Sequence, residues 1–349
     1  MRTRINQTPT CAKYSTTSGP PSTASDGSWK GVPSPSDCLR ISRHVSSVAH
    51  LRRRLALVAS VTAALVTAGN RSKMRAAPVT ASVVNAPDLA IRVCPEARCE
   101  VVQQVPLGAA VEIVDQPDAA FPQVSYQGVT GFANSLYLAT DPEHVPFLLK
   151  GEPGCQRVAL IFNIGVGAEP AEGILDTLAA ERVPATMFVM GWWAAQHPPI
   201  LERMVRENYI IGSHGYGSQP LPELSDGEVW DDVLQAVEAI EHATGEQPAP
   251  LFTPYAAAID DRVRAIVAAS GALPVAWEVT AADYGADATA DGVYERVMSG
   301  MYDGAIVELH LDGPASATST GVALPWLIRD LRAEGYQFVT IPEMIELCQ

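Results

Sequence analysis

The pattern of apolar and polar residues is most regular in the carboxyl-terminal part of the chain. After residue 155, apolar runs of about four to six residues alternate with longer amphipathic segments, and polar residues collect just past the ends of the apolar runs. Runs of this length are typical of strands that are buried on both faces of a parallel sheet. The first of them ends at Asn163, Ile164 and Gly165. We therefore expect a parallel α/β enzyme fold whose chemistry lies at the carboxyl ends of its strands.

Residues 155–349 are predicted to form a distorted (β/α) barrel of about seven strands. Crossover helices of this length connect parallel strands with a right-handed turn, which favours a barrel over an open sheet. Ser225 and Glu228 have the spacing of a capping box at the start of one helix. The predicted strands are 158–162, 185–189, 210–213, 250–252, 274–277, 305–310 and 337–340, and the predicted helices are 170–182, 193–207, 225–243, 260–270, 290–301 and 322–334.

The pattern differs in residues 80–140, where five short β-type runs are separated by turn residues. Short strands at this spacing predict a small all-β barrel. Residues 141–154 carry three prolines and several acidic residues, and they are interpreted as a linker.

The amino-terminal segment has two further parts. Residues 1–51 are rich in Ser, Thr, Pro and Gly and are predicted to be disordered, or not to be translated at all. Residues 52–75 contain three arginines followed by the apolar run 55–69, the arrangement of a secretory signal. The segment is either an uncleaved membrane anchor or a cleaved signal peptide, whose true start would lie near Val48 or Leu51.

Charge and cysteine content indicate the cellular compartment of the protein and the classes of partner that it can bind. The net charge is −15; residues 1–75 hold 12 Lys and Arg against 2 Asp and Glu, and the remainder holds 12 against 37. An acidic body of this kind repels phosphate backbones, so nucleic acid is excluded as a partner and membrane contact is expected only through 55–69. The six cysteines indicate an oxidising, extracytoplasmic location, with Cys94–Cys99 and Cys155–Cys348 as candidate disulfides.

The small β segment resembles the bacterial type of Src-homology-3-like domain. The resemblance rests on Ile-Arg-Val at 91–93, Leu-Gly at 107–108, Val-Glu-Ile-Val at 111–114, Val-Ser-Tyr at 124–126, Gly-Val-Thr-Gly-Phe at 128–132 and Ser-Leu-Tyr-Leu at 135–138. Such domains commonly bind peptidoglycan peptides or pack on a catalytic neighbour. Here the usual aromatic loop is replaced by the Cys94 to Cys99 segment, which favours a structural or wall-anchoring role.

Residues 155–349 resemble the NodB-type polysaccharide deacetylases, carbohydrate esterase family four. The landmarks, in order, are Ala185–Gly191, His197-Pro198, Ile211–His214, Ala243–Gly245, Phe252–Tyr255, Trp277 with Asp283, Ile306–His310 and Gly335–Thr340. The resemblance implies removal of N-acetyl groups from a polysaccharide or peptidoglycan. A divalent metal held by one Asp and two His would activate water, a second Asp held by an Arg would be the base, and a late His tuned by an Asp would be the acid.

Several of these positions depart from the family pattern. The resemblance places Asn163 at the base and Ile164 and Ser218 at two metal ligands, so that only His214 of the ligand set remains. The arginine position falls at Thr253, whereas Asp283 and His310 match the tuning carboxylate and the acid. The aromatic residues Tyr216, Tyr255 and Trp277 are candidate sugar-stacking groups. The family mechanism is therefore not expected to operate, and no metal cofactor is expected.

Glu308 leaves an alternative open. It lies two residues before His310 on one predicted strand, so both side chains point to the same face. Either these two with His214 and Asp283 form a displaced polar or zinc-binding cluster, or Glu308 is simply hydrogen-bonded near the barrel rim.

The sequence thus supports three hypotheses about function. The first is an exported, wall-associated deacetylase-family protein that has lost its catalytic centre and binds glycan. The second is an active hydrolase of carbon-nitrogen bonds that uses the displaced cluster. The third is a structural protein that acts through the small β domain.

Overall fold

Alternating apolar residues build an antiparallel sheet at the start of the described chain. Its strands pair in the order β3-β2-β6-β5-β4-β1-β7, and inward-facing residues such as Val83, Ile91 and Val124 are fully buried between them. A two-residue turn at Gln127 and Gly128, both with positive φ, joins β5 to β6. The strands are β1 (Val79–Val83), β2 (Asp88–Arg92), β3 (Val101–Pro106), β4 (Ala110–Asp115), β5 (Gln123–Tyr126), β6 (Val129–Phe132) and β7 (Leu138–Ala139).

The computed structural model describes residues 79–116 and 119–348. The predicted segments 1–51 and 52–75 therefore lie outside the described residues. Within the described ranges, no helix is both long enough and apolar enough to cross a membrane.

The remaining elements form an α/β domain around one fully buried strand. That strand, β8 (Arg157–Ile164), is buried along its whole length and pairs with three others. The other strands are β9 (Thr186–Val189), β10 (Ile210–Ser213), β11 (Leu251–Phe252), β12 (Leu273–Pro274), β13 (Val279–Thr280), β14 (Ala305–Leu309) and β15 (Gln337–Val339). The helices are α1 (Ala171–Glu181), α2 (Gly191–Gln196), α3 (Pro198–Arg206), α4 (Asp226–Thr244), α5 (Asp261–Ala269), α6 (Ala290–Gly300), α7 (Thr320–Ala333) and α8 (Ile341–Met344).

The α/β sheet is a parallel half-barrel, consistent with a distorted barrel. Its strands pair in the order β12-β11-β10-β9-β8-β14-β13, with β15 also on β8. The two end strands belong to one continuous stretch, 273–280, so the chain itself runs from one end of the sheet to the other. The predicted strand 274–277 is therefore wrong in its bounds: it is divided into β12 and β13, and the sheet has eight strands.

Residues 141–154, interpreted from sequence as a linker, pack into the gap beside this stretch. Leu148 is buried and forms a parallel bridge with Val275, and its amide donates to the carbonyl of Pro274 at 2.9 Å. The connection between the two sheets therefore contributes to the wall of the α/β domain.

Two details of the helices bear on the prediction. The single helix predicted over 193–207 is wrong, because it is divided at His197 into α2 and α3. Pro198 and Pro199 follow that break and cannot donate the backbone hydrogen bonds that a continuous helix needs. The capping box predicted at Ser225 and Glu228 is present at the start of α4.

Both candidate disulfides are formed. Cys94 and Cys99 join across the loop between β2 and β3, with their Cα atoms 5.8 Å apart, and Cys155 joins Cys348 with a Cα separation of 5.4 Å. The guanidinium of Arg157 also donates to the carbonyl of Glu343 at 2.8 Å. The carboxyl-terminal segment is thereby fixed to the start of β8.

Candidate functional site

Alternation along β8 decides which residues face the barrel interior. Val158, Leu160, Phe162 and Ile164 lie in the apolar cluster that the sheet forms with the helices. Ala159 and Ile161 lie in a separate cluster with residues of neighbouring strands. Asn163 continues the second face because side chains alternate along a strand. Asn163 and Ile164, adjacent in sequence, therefore have different surroundings.

The side chain of Asn163 joins a buried chain of hydrogen bonds. Its Oδ1 accepts from Oγ1 of Thr253 at 2.9 Å, and Nδ1 of His214 lies 2.8 Å from the same hydroxyl and 3.0 Å from the Thr253 carbonyl. Because the hydroxyl has one hydrogen and gives it to Asn163, His214 must donate through Nδ1. The proton of neutral His214 is thus on Nδ1, and Nε2 carries the lone pair.

On the other side of Asn163, the chain of hydrogen bonds continues to Glu308 and His310. The amide group of Asn163 hydrogen-bonds the Glu308 carboxylate, which also accepts from Oγ1 of Thr280 at 2.6 Å. Its second oxygen lies 3.4 Å from Nε2 of His310. Glu308 is only 4% exposed. Asn163 fits between Thr253 and Glu308 because an amide is both acceptor and donor.

Asp283 is the last member of this hydrogen-bonded chain, and it lies on the far side of His310. Its carboxylate accepts from Nδ1 and from the backbone amide of His310, each at 2.8 Å, and from the hydroxyl of Thr320 at the start of α7. Arg296 steadies the preceding turn by donating to the carbonyl of Ala281 at 2.7 Å. The sequence prediction paired Asp283 with His310, and the structure brings them together.

The two histidines have opposite electrostatic surroundings. Burial and the nearby charge of His310 lower the pKa of His214 to about 3. Burial alone would lower the pKa of His310 as well, but Glu308 and Asp283 raise it to about 9. At neutral pH His310 is therefore an imidazolium and His214 a neutral imidazole. Burial raises the pKa of Glu308.

The residues at the other two ligand positions lie elsewhere. Ile164 is fully buried in the cluster between sheet and helices, whereas Ser218 is exposed in the loop after β10. Across residues 79–116 and 119–348, no three or more His, Cys, Asp and Glu side chains group so that they could hold a metal ion. The donor set present is the single imidazole of His214, whose Nδ1 is bonded to Thr253 and whose Nε2 is free, and one ligand is too few to hold a divalent metal.

The predicted aromatic residues are distributed around this centre. The Tyr255 ring lies 6.4 Å from the His214 ring, and the half-buried Tyr216 packs against Gly191. Trp277 instead lines a separate cavity with Phe147 and Arg264. Tyr284, 51% exposed, stands edge-on to His310 with 5.7 Å between ring centres.

Sequence reasoning missed two carboxylates. Asp312 is 1% exposed, and its Oδ2 accepts from the amides of Gly165 and Val166, each at 2.6 Å. Asp232 accepts from the amides of Tyr216 and Gly217, each at 2.9 Å. They fix the loops that follow β8 and β10. Neither could be found by strand pattern, although the position of Asp312 two residues after His310 was a usable clue.

Comparison with known proteins gives a consistent result. The family model described as polysaccharide deacetylase matches residues 150–275. A chitooligosaccharide deacetylase of Bradyrhizobium is 33% identical over 202 residues, which cover 55% of this chain and 91% of that protein. The peptidoglycan-N-acetylglucosamine deacetylase PgdA of Listeria monocytogenes is 31% identical over 235 residues, 67% of this chain. The chain spans only 48% of that protein's length.

A solved structure described as a carbohydrate esterase family four pseudoenzyme from Bacillus anthracis is similar to this chain. It is 27% identical, with a TM-score of 0.53, and the match covers 56% of this chain and 68% of that chain. A mutant of that pseudoenzyme is described as having restored enzymatic activity. Together with the relatives above, these similarities show that the chain belongs to the polysaccharide deacetylase family.

Proposed function

We propose that this protein is an extracytoplasmic member of the family that binds an N-acetylated glycan, of peptidoglycan or chitin type, without the family's metal-dependent hydrolysis. The observation that carries the proposal is the hydrogen-bonded chain through Asn163. By the resemblance, Asn163 replaces the base and Ile164 and Ser218 replace two of the three metal ligands, and the Asn163 side chain is hydrogen-bonded to Thr253 and Glu308. The relatives named as deacetylases support the glycan class, and the Bacillus anthracis pseudoenzyme supports loss of activity as a state that this family adopts.

The small amino-terminal sheet has a separate part in this proposal. We assign it to the Src-homology-3-like class on the motifs given above, with a structural or wall-anchoring role. Its disulfide between Cys94 and Cys99 suits an oxidising location, and the export segment 52–75 belongs to the same interpretation.

Glycan binding is tested with the full chain by isothermal titration calorimetry. Tri-N-acetylchitotriose and solubilised peptidoglycan fragments are the ligands, and an unrelated oligosaccharide such as maltotriose is the control. Saturable binding of at least one acetylated glycan is expected. Absence of binding to both at millimolar concentration would overturn the proposal.

A second candidate function is favoured by the contacts of His310. An imidazolium held by Asp283 and within 3.4 Å of Glu308 is a proton donor beside a carboxylate, the pairing that general acid and base catalysis uses. On this hypothesis the protein is a metal-independent hydrolase of the N-acetyl bond. Acetate release by protein treated with a chelator, abolished in His310→Gln and retained in His214→Ala, would establish it.

A further inference from the structure

A cavity lies where the antiparallel sheet meets the α/β domain, at the amino-terminal end of β11. Its volume is about 400 Å³, and residues of β2 and β3, of the stretch 249–251 and of the segment 342–346 contribute to its walls. The hydrogen-bonded groups around His214 and His310 lie outside its lining. The family model matches 150–275, which includes only 249–251 of the lining. The cavity is therefore separate from the candidate site.

Apolar side chains form most of the walls of this cavity. Leu89 and Phe121 contribute from the antiparallel sheet and its loops, and Leu251 and Ile345 contribute from the α/β domain. Leu89, Phe121 and Leu251 are each at most 5% exposed. The volume is near the lower end of the range of about 300–1,000 Å³ for small-molecule pockets. It suits a compact ligand with one apolar group rather than an extended chain.

Two opposite charges line this cavity without pairing with each other. They are Arg92 of β2 and Glu346 near the carboxyl terminus. The Arg92 guanidinium donates through Nη1 to the carbonyl of Cys99 at 2.7 Å, and it has no carboxylate partner within residues 79–116 and 119–348. The carboxylate of Glu346 has neither a cation nor a hydrogen-bond donor as partner in the same ranges. Both charges are therefore available to a ligand that carries a carboxylate and an ammonium group.

The other polar groups of the lining agree with this charge pattern. The hydroxyl of Tyr137 makes no hydrogen bond to a described residue. Asp88, the second carboxylate of the lining, is already engaged, because Nε2 of Gln104, with its amide oriented to satisfy its neighbours, donates to Asp88 Oδ1 at 3.0 Å. The groups left for a ligand are thus one guanidinium, one phenol hydroxyl and one carboxylate.

We infer that this cavity binds a free α-amino acid with an apolar side chain. The carboxylate of the ligand pairs with the Arg92 guanidinium and accepts from the Tyr137 hydroxyl, since a guanidinium matches the geometry of a carboxylate. The ammonium group of the ligand donates to Glu346, and its side chain contacts Phe121 and Leu251. The ligand is distinct from the glycan, so this inference does not depend on the proposed function.

The test is isothermal titration calorimetry of the full chain with leucine and with phenylalanine. The amide of each amino acid lacks the carboxylate, and the N-acetyl derivative lacks the ammonium group. Saturable binding of at least one free amino acid is expected, with each of its derivatives about tenfold weaker, because each loses a hydrogen bond to a charged group. Absence of saturable binding of both amino acids at millimolar concentration, or equal binding of the derivatives, would overturn the inference.

Two variants locate the ligand in this cavity. Arg92→Gln should weaken binding about tenfold and remove the preference for the free acid over its amide. Glu346→Gln should weaken binding to a similar extent and remove the preference for the free amine over its N-acetyl derivative. Arg98→Gln is the matched control, because Arg98 is near Arg92 in sequence but pairs with Glu96 at 2.5 Å and lies outside the lining. It should bind within twofold of wild type.

The pattern across the derivatives distinguishes a direct contact from a general disturbance of the fold. If folded Arg92→Gln and Glu346→Gln bind as tightly as wild type, or weaken every derivative by the same factor, the ligand does not contact these charges and the inference is overturned. Glu346 is exposed, so Glu346→Gln is expected to fold and decides the result even if Arg92→Gln does not fold.

Discussion

The buried contact between Asn163 and Glu308 makes Asn163→Asp the most informative single change. It restores the residue type that the family uses as base, yet it exchanges the amide donor to Glu308 for a second carboxylate. Two unit charges about 4 Å apart repel by about 4 kcal/mol at an effective dielectric constant of about 20. Protonation of one carboxylate relieves part of this repulsion. We therefore expect a loss of about 2–4 kcal/mol at neutral pH.

The loss of stability in Asn163→Asp should change with pH in a defined direction. In the variant the carboxylate pair shares a folded-state pKa raised above the unfolded value, so the folded state binds more protons and stability falls as pH rises. The stability difference from wild type should be small near pH 4.5 and grow towards pH 8. Urea unfolding followed by circular dichroism at several pH values measures it.

Two further variants separate the effect of the added carboxylate from the effect of losing the hydrogen bonds of Asn163. Asn163→Ala removes the hydrogen bonds without adding a carboxylate, so its cost should vary much less with pH. Asn163→Asp combined with Glu308→Gln exchanges donor and acceptor across the same contact, and its stability should return to within about 1 kcal/mol of wild type. An Asn163→Asp protein as stable as wild type at pH 8, or one with the same deficit at pH 4.5 and pH 8, would contradict the expected repulsion between the carboxylates of residues 163 and 308.

Four further predictions follow from the same structure. Ile164→Asp should lower the free energy of unfolding in urea by several kcal/mol, because it places a carboxylate in a fully buried apolar cluster. Ile164→Val should lower it by about 1 kcal/mol, and equal losses would contradict the placement of Ile164 in that cluster. His310 should titrate by NMR with a pKa of about 9. Its contribution to stability is therefore present below about pH 6.5 and is lost as pH rises through 9. Glu308→Gln should lower the NMR midpoint, and an unchanged midpoint would refute the pairing of Glu308 with His310. Replacing Cys155 and Cys348 by serine opens a loop of 193 residues and should cost about 4–5 kcal/mol, more than the same change at Cys94 and Cys99; the reverse order of costs would contradict it. Asn163→Asp, Ile164→Asp and Ser218→His together should bind no zinc by calorimetry, because residue 164 faces the cluster between sheet and helices and residue 218 lies in an exposed loop. Tight zinc binding by that triple variant would contradict these placements.

The features that sequence predicts well are those set by local pattern. The uninterrupted apolar run of β8, the capping box at Ser225 and the close spacing of Cys94 and Cys99 each have one low-energy outcome, and the structure contains all three. The break at His197 was also predictable, since Pro198 and Pro199 stand directly after it. Amphipathic spacing alone predicts one continuous helix there, because it takes no account of the two prolines.

The features that sequence misses depend on contacts between distant segments. The division of 273–280 into two strands is decided by where the sheet ends, and Leu148 fills the gap from a segment whose prolines suggested only a connection. The role of Asn163 is of the same kind. The family resemblance places Asn163 where relatives have their base, but only the positions of Thr253 and Glu308 show that an amide is the group that satisfies both neighbours. Trp277 lies beyond the end of β12, in the wall of another cavity.

We propose that the chain keeps the family's fold and has lost its metal-dependent centre. The most direct measurement is acetate release from tri-N-acetylchitotriose and peptidoglycan by the full chain, with zinc or cobalt added, compared with His214→Ala. We expect no metal-stimulated turnover above that of the His214→Ala protein. Metal-stimulated turnover by wild type that is abolished in His214→Ala would contradict it.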